Sequence, residues 1–158
     1  MNERERVARA VAFFEQCDDL ALLHRLTAEA APRARKYVAT LLARGDEDTI
    51  PPPAELRPAR EAADLDEALE TFRKTSDFAL FQVLARSIGR RIEALEIIAS
   101  AEFPPGARVL VPRKAGYPAG TPELPGTVEQ TGTQLTVALD NGEVWQGPPS
   151  LARRESTR

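Results

Sequence analysis

Apolar residues recur at helical spacing through the N-terminal part of the chain, then switch to short alternating runs at Phe103-Pro104-Pro105-Gly106. The first pattern predicts α-helices and the second predicts short β-strands. Val7, Val11 and Phe14, with Ala10 and Cys17 on the same side, predict a helix over 3–17. Asp18-Asp19 then supplies a break and a new N-cap. Leu20, Leu23 and Leu26 line a second helix that is expected to end near Ala31. Pro32 fits the first turn of a third helix, where its missing N–H costs nothing. Tyr37, Val38, Leu41 and Leu42 form that helix's apolar side, and Gly45 stands where a terminating glycine belongs.

The pattern fails over 46–63, where Asp46-Glu47-Asp48 is followed by Pro51-Pro52-Pro53 and Pro58. This composition predicts an extended, solvated connector with polyproline stiffness. Asp64 followed by Glu67 is a capping pattern, and Thr75-Ser76-Asp77 is another, so two helices are expected over 64–101 rather than one. In the last of them Phe81, Leu84, Ile88, Ile92, Leu95 and Ala99 form one stripe, which Leu80, Ile97 and Ile98 widen. A stripe that wide implies contact on more than one side, as in a central bundle helix or a dimer seam along 77–101. Gly89 inside it is either tolerated or marks close approach of a second helix.

Beyond the switch, Ala107 to Val111 reads as a strand stopped by Pro112, followed by a Gly/Pro-rich loop carrying Tyr117. Gly126 to Gln130 is a second strand. Leu135, Val137 and Leu139 alternate with polar and small residues in a third, half-buried strand. Asp140-Asn141-Gly142 predicts a type I′ hairpin turn into a fourth strand over 143–146. Pro148-Pro149-Ser150-Leu151 is expected to lead Leu151 into the core. The expectation is an α+β chain. It has a bundle of four or five helices over 1–103, a small β-barrel over 104–152 and a flexible tail over 153–158.

The barrel assignment rests on a resemblance. Gly106-Ala107-Arg108-Val109-Leu110-Val111, then Gly126-Thr127-Val128, then Leu135-Thr136-Val137-Ala138-Leu139 with Asp140-Asn141-Gly142, is similar to the SH3-like small barrels of the KOW, Tudor and SH3-like families. The resemblance implies a strand, a long loop and a three-stranded meander. It implies no particular ligand, because unrelated functions share this barrel. The basic first loop of nucleic-acid-binding KOW domains is reduced to Arg108, Arg113 and Lys114. The aromatic cage of Tudor domains is reduced to Tyr117 and Trp145.

Composition narrows the picture. The 158 residues carry a net charge of −3, with fifteen basic and nineteen acidic residues up to Phe103 and six and five after it. A strongly basic domain, the usual footprint of a nucleic-acid protein, is missing. No apolar run approaches a membrane span, and the alternating charges of residues 1–6 predict no signal peptide. With one cysteine no internal disulfide forms, and a cytoplasmic location is expected. His24 and Cys17, one residue of each type, make no ordinary zinc site, and no nucleophile elbow, phosphate loop or dinucleotide fingerprint is present. The expectation is no enzyme, no cofactor and no metal.

Two surfaces remain. The first is a protein-binding surface made of Tyr117, Trp145, Arg113 and Lys114, with Trp145 as an outward anchor or packed against the helices. The second is a nucleic-acid face assembled from Arg33, Arg35, Lys36, Arg86, Arg90, Arg91, Arg108, Arg153 and Arg154. The first reading is a non-enzymatic adaptor whose helices scaffold or dimerise and whose barrel recognises a protein. The second is a DNA- or RNA-associated protein, and a small enzyme of unknown class is the third.

Overall fold

Each of the four α-helices among the described residues begins on a short polar side chain that accepts from its own free amides. The computed structural model describes residues 1–43, 45, 51–112 and 122–155, in two units, Met1–Ile92 and Glu93–Arg158. Asn2 Oδ1 accepts from Glu5 N at 2.8 Å to start α1, Glu3–Gln16, and Asp19 Oδ1 accepts from Leu22 N at 3.0 Å to start α2, Leu20–Ala43. Asp64 Oδ1 accepts from Glu67 N at 2.8 Å at the head of α3, Leu65–Lys74. Asp77 Oδ1 accepts from Leu80 N at 3.1 Å at the head of α4, Phe78–Ser100. Each such cap contributes about 1 kcal/mol. The expected break at 75–77 is therefore present, and Glu3 reinforces it by accepting from the amides of Ser76 and Asp77.

Pro32 does not start a helix. It lies inside α2, which runs through it without interruption. An interior proline forfeits one backbone hydrogen bond and costs about 3 kcal/mol. Packing offsets that cost on both sides: Leu22, Leu23, Leu26 and Ala30 are buried before it, and Arg33 and Tyr37 are anchored after it.

The core of the first unit gathers Val7, Ala10, Val11 and Phe14 of α1, Leu23 and Leu26 of α2, Phe72 of α3, and Phe81, Leu84 and Ile88 of α4. The described part of the proline-rich connector, residues 51–63, has no helix or strand, is largely exposed, and is tied to the helices at three points. Ala59 N and Ala63 N donate to the carbonyls of Ala8 and Arg9 in α1, and Ala54 N donates to Ala79 O in α4. Gly89 is exposed, and a Cβ built there meets nothing within 4 Å, so no second helix approaches it among the described residues.

In the second unit, β1 (Arg108–Val111), β2 (Leu124–Gln130), β3 (Leu135–Leu139), β4 (Val144–Gly147) and β5 (Arg153–Arg154) form one antiparallel sheet in the order β4-β3-β2-β1-β5. Val109, Val111, Val128, Leu135, Val137, Leu139 and Trp145 alternate onto one face and bury there with Phe103. The expected tail thus contributes β5, which pairs Arg154 with Val109 and Arg153 with Leu110. Leu151 is exposed, and Pro149 takes the buried place in the single 3-10 turn that precedes β5.

The β3–β4 turn is not type I′, because Asn141 keeps a negative φ and only Gly142 is positive, at 91°. Gly142 N donates to Leu139 O and Leu139 N donates to Glu143 O. That is a three-residue loop closed by a glycine bulge, the alternative that a following left-handed glycine favours. The buried carboxylate of Glu96, on the last turns of α4, accepts from the amide of Ser150 at 2.8 Å and from its hydroxyl, holding the 3-10 turn in place. Among the described residues no helix is long and apolar enough to cross a membrane.

Candidate functional site

Beyond Pro32, α2 presents Arg33, Lys36, Tyr37, Thr40 and Leu41 at i, i+3, i+4, i+7 and i+8, which places them on one face. That face meets the end of α3 and the turn into α4. Between them lies an open cleft of about 630 Å³ lined by Arg33, Lys36, Tyr37, Arg73, Lys74 and Phe78, with Leu41 and Pro51 adding apolar surface.

The floor is rigid. The Arg33 guanidinium donates to Phe72 O at 2.6 Å and to Thr75 O at 3.0 Å, two carbonyls that terminate α3. Its planar carbon lies 4.4 Å from the Phe81 ring centroid and 5.2 Å from that of Phe72. Arginine suits this place because it offers a flat cation to the rings and a fork of donors to the carbonyls at once. Tyr37 stacks on Phe78 with centroids 4.9 Å apart, and its hydroxyl donates to Ser76 O at 3.0 Å.

The rim carries exposed charge. Lys74 pairs with Glu70 at 2.6 Å and Arg73 with Glu29 at 3.8 Å, both on the surface. The Lys74 hydrogen bond holds the Glu70 carboxyl below its ordinary value. Lys36 is exposed and makes no ion pair among the described residues. Four cations therefore line the cleft, and its described lining contains no carboxylate.

Of the residues singled out from sequence, Arg33 and Lys36 enter this cleft. Arg35, Arg86 and Arg90 are exposed and are not part of its lining. Several of the others make contacts within the fold. Arg91 donates to Cys17 O and pairs with Asp18 at 2.6 Å. Arg108 pairs with Asp140 at 2.6 Å and Glu155 at 2.9 Å, which drives its own pKa up and Asp140's down. Arg153 pairs with Glu123 at 2.8 Å, and Arg154 donates to Glu102 O. Trp145 is 5% exposed in the sheet core while Val144 is 57% exposed, so the tryptophan is not an outward anchor. Arg113, Lys114 and Tyr117 lie outside the described residues.

Arg73, Lys74, Tyr37 and Phe78 were not singled out by the sequence reading. The available signal was the spacing of Tyr37 from Arg33, i+4 on one helix, and the basic pair Arg73-Lys74 just before a cap. Compared with known proteins, the chain matches no protein-family model, no curated protein and no solved structure.

Proposed function

We propose that the chain is a non-enzymatic binding protein that holds a protein partner in the cleft between α2 and the α3–α4 turn. The observation that carries this reading is the cleft itself: four cations around a preformed aromatic and apolar surface, in a unit with fifteen basic and sixteen acidic residues. A preformed concave surface with a few convergent charges is the usual form of a recognition site. The second unit is read as an SH3-like barrel serving as a scaffold or second recognition module. In support, β5 returns through one 3-10 turn to the free edge of β1, the connection a small barrel of this strand order needs.

Affinity capture from a cell lysate, with and without nuclease, tests the reading. The wild type is expected to retain a protein that survives nuclease and is lost with the Lys36→Glu/Lys74→Glu variant. Capture that nuclease abolishes would favour the second reading, a nucleic-acid-associated protein, for which the exposed Arg35, Arg86 and Arg90 speak. A cytoplasmic protein that self-associates through α4 is part of the same proposal, supported by the exposure of Ile97 and Ile98.

A further inference from the structure

We infer that the cleft selects an acidic segment of its protein partner, one in which a single apolar or aromatic side chain is flanked by carboxylates; this rests on the reading above that the cleft is the partner site. The charge comes in two kinds. Arg33 is fixed in the floor with two of its nitrogens spent on Phe72 O and Thr75 O, so it contributes a standing positive field. Lys36, Arg73 and Lys74 are long, exposed and held at most by surface pairs, which contribute little to stability. They are therefore easily redirected to a ligand's carboxylates.

The apolar requirement comes from the lining. Tyr37 and Phe78 are locked against each other, and Leu41 and Pro51 extend their surface. A ligand that offered only charge would leave this surface wet. An apolar side chain removes it from water, which favours binding, and little ordering cost remains because the rings are already placed.

Polyanion length argues against nucleic acid as the occupant. A phosphate backbone continues past any short cleft, and the remaining surface of this unit carries more acidic than basic residues once Arg33, Lys36, Arg73 and Lys74 are set aside. A short acidic segment meets the local positive charge without meeting that repulsion.

The test uses the full chain and fluorescence anisotropy with three labelled probes: a short peptide of Asp and Glu around one Phe, the same peptide with Phe replaced by Ser, and single-stranded oligodeoxythymidine. The acidic Phe peptide is expected to bind with an affinity that falls as salt rises. It should weaken about tenfold on Phe→Ser, and about tenfold or more in the Lys36→Glu/Lys74→Glu protein. Both lysines are exposed, so an unchanged circular dichroism melt shows that the loss is not unfolding. The inference is overturned if the oligonucleotide binds more tightly than the peptide, if the Ser peptide binds equally well, or if the charge reversal leaves peptide binding intact. If lysate capture is lost in the charge-reversed protein while no acidic peptide binds the wild type, the partner chemistry is wrong and the cleft reading stands. If capture is unaffected by charge reversal, the cleft reading itself fails.

Discussion

Arg33 sits over the Phe81 ring, with its guanidinium carbon 4.4 Å from the ring centroid, and from there it reaches two carbonyls at the end of α3. One side chain thus clips the post-proline half of α2 to both helices across the cleft. A lysine cannot cover a ring and bridge two carbonyls together. Arg33→Lys is expected to lower the unfolding free energy by about 1–3 kcal/mol, measured by urea titration. An unchanged midpoint would mean that the clip is idle.

Gly147 faces Trp145 so closely that a Cβ built on it falls 2.6 Å from the indole ring. Gly147→Ala must therefore displace a ring that fills the sheet core, with an expected cost of about 1–3 kcal/mol. Trp145 is the single tryptophan, so its fluorescence reports this unit alone. The variant should show a lower urea midpoint by that signal. Val144→Thr, on the exposed side of the same strand, is expected to change stability by no more than about 0.5 kcal/mol.

The hydrogen bond from Arg108 holds the Asp140 carboxyl below its ordinary value of 3.8. A carboxyl depressed in the folded state stabilises fully above its unfolded value and loses that contribution as pH falls through the lower, folded one. Carbon-detected NMR titration of Asp140 is expected to give a midpoint under 3.8. In Asp140→Asn, stability should fall less steeply with acid over that same range. A midpoint at or above the ordinary value would contradict the pairing.

Ile97 and Ile98 are 50% and 67% exposed on the last turns of α4. The proposed self-association through α4 would cover these two side chains. Light scattering is expected to give the mass of a dimer for the wild type and of a monomer for Ile97→Ser/Ile98→Ser, with helicity unchanged. A monomeric wild type would remove the self-association proposal.

The helix order was legible because Asp64, Asp77 and Asp19 cap through local hydrogen bonds that spacing reveals. The strand alternation was legible because one face of the sheet is buried every second residue, as at Leu135, Val137 and Leu139. Pro32 misled because its local penalty is overridden by tertiary contacts of Arg33 and Tyr37, which no window of sequence contains. The phase of Trp145 and Val144 was ambiguous because both are apolar, and the register with Val137 decides it. The cleft was half visible: Arg33 and Lys36 stood out by charge, whereas Arg73 and Lys74 reach it only because the α3–α4 turn folds back on α2.

The most direct measurement is amide NMR of the full chain titrated with the acidic Phe-containing peptide. The account predicts saturable shifts concentrated at Lys36, Tyr37, Thr40 and the turn from Lys74 to Phe78, abolished by Lys36→Glu/Lys74→Glu. Shifts confined to the sheet unit, or unchanged by the charge reversal, would contradict it.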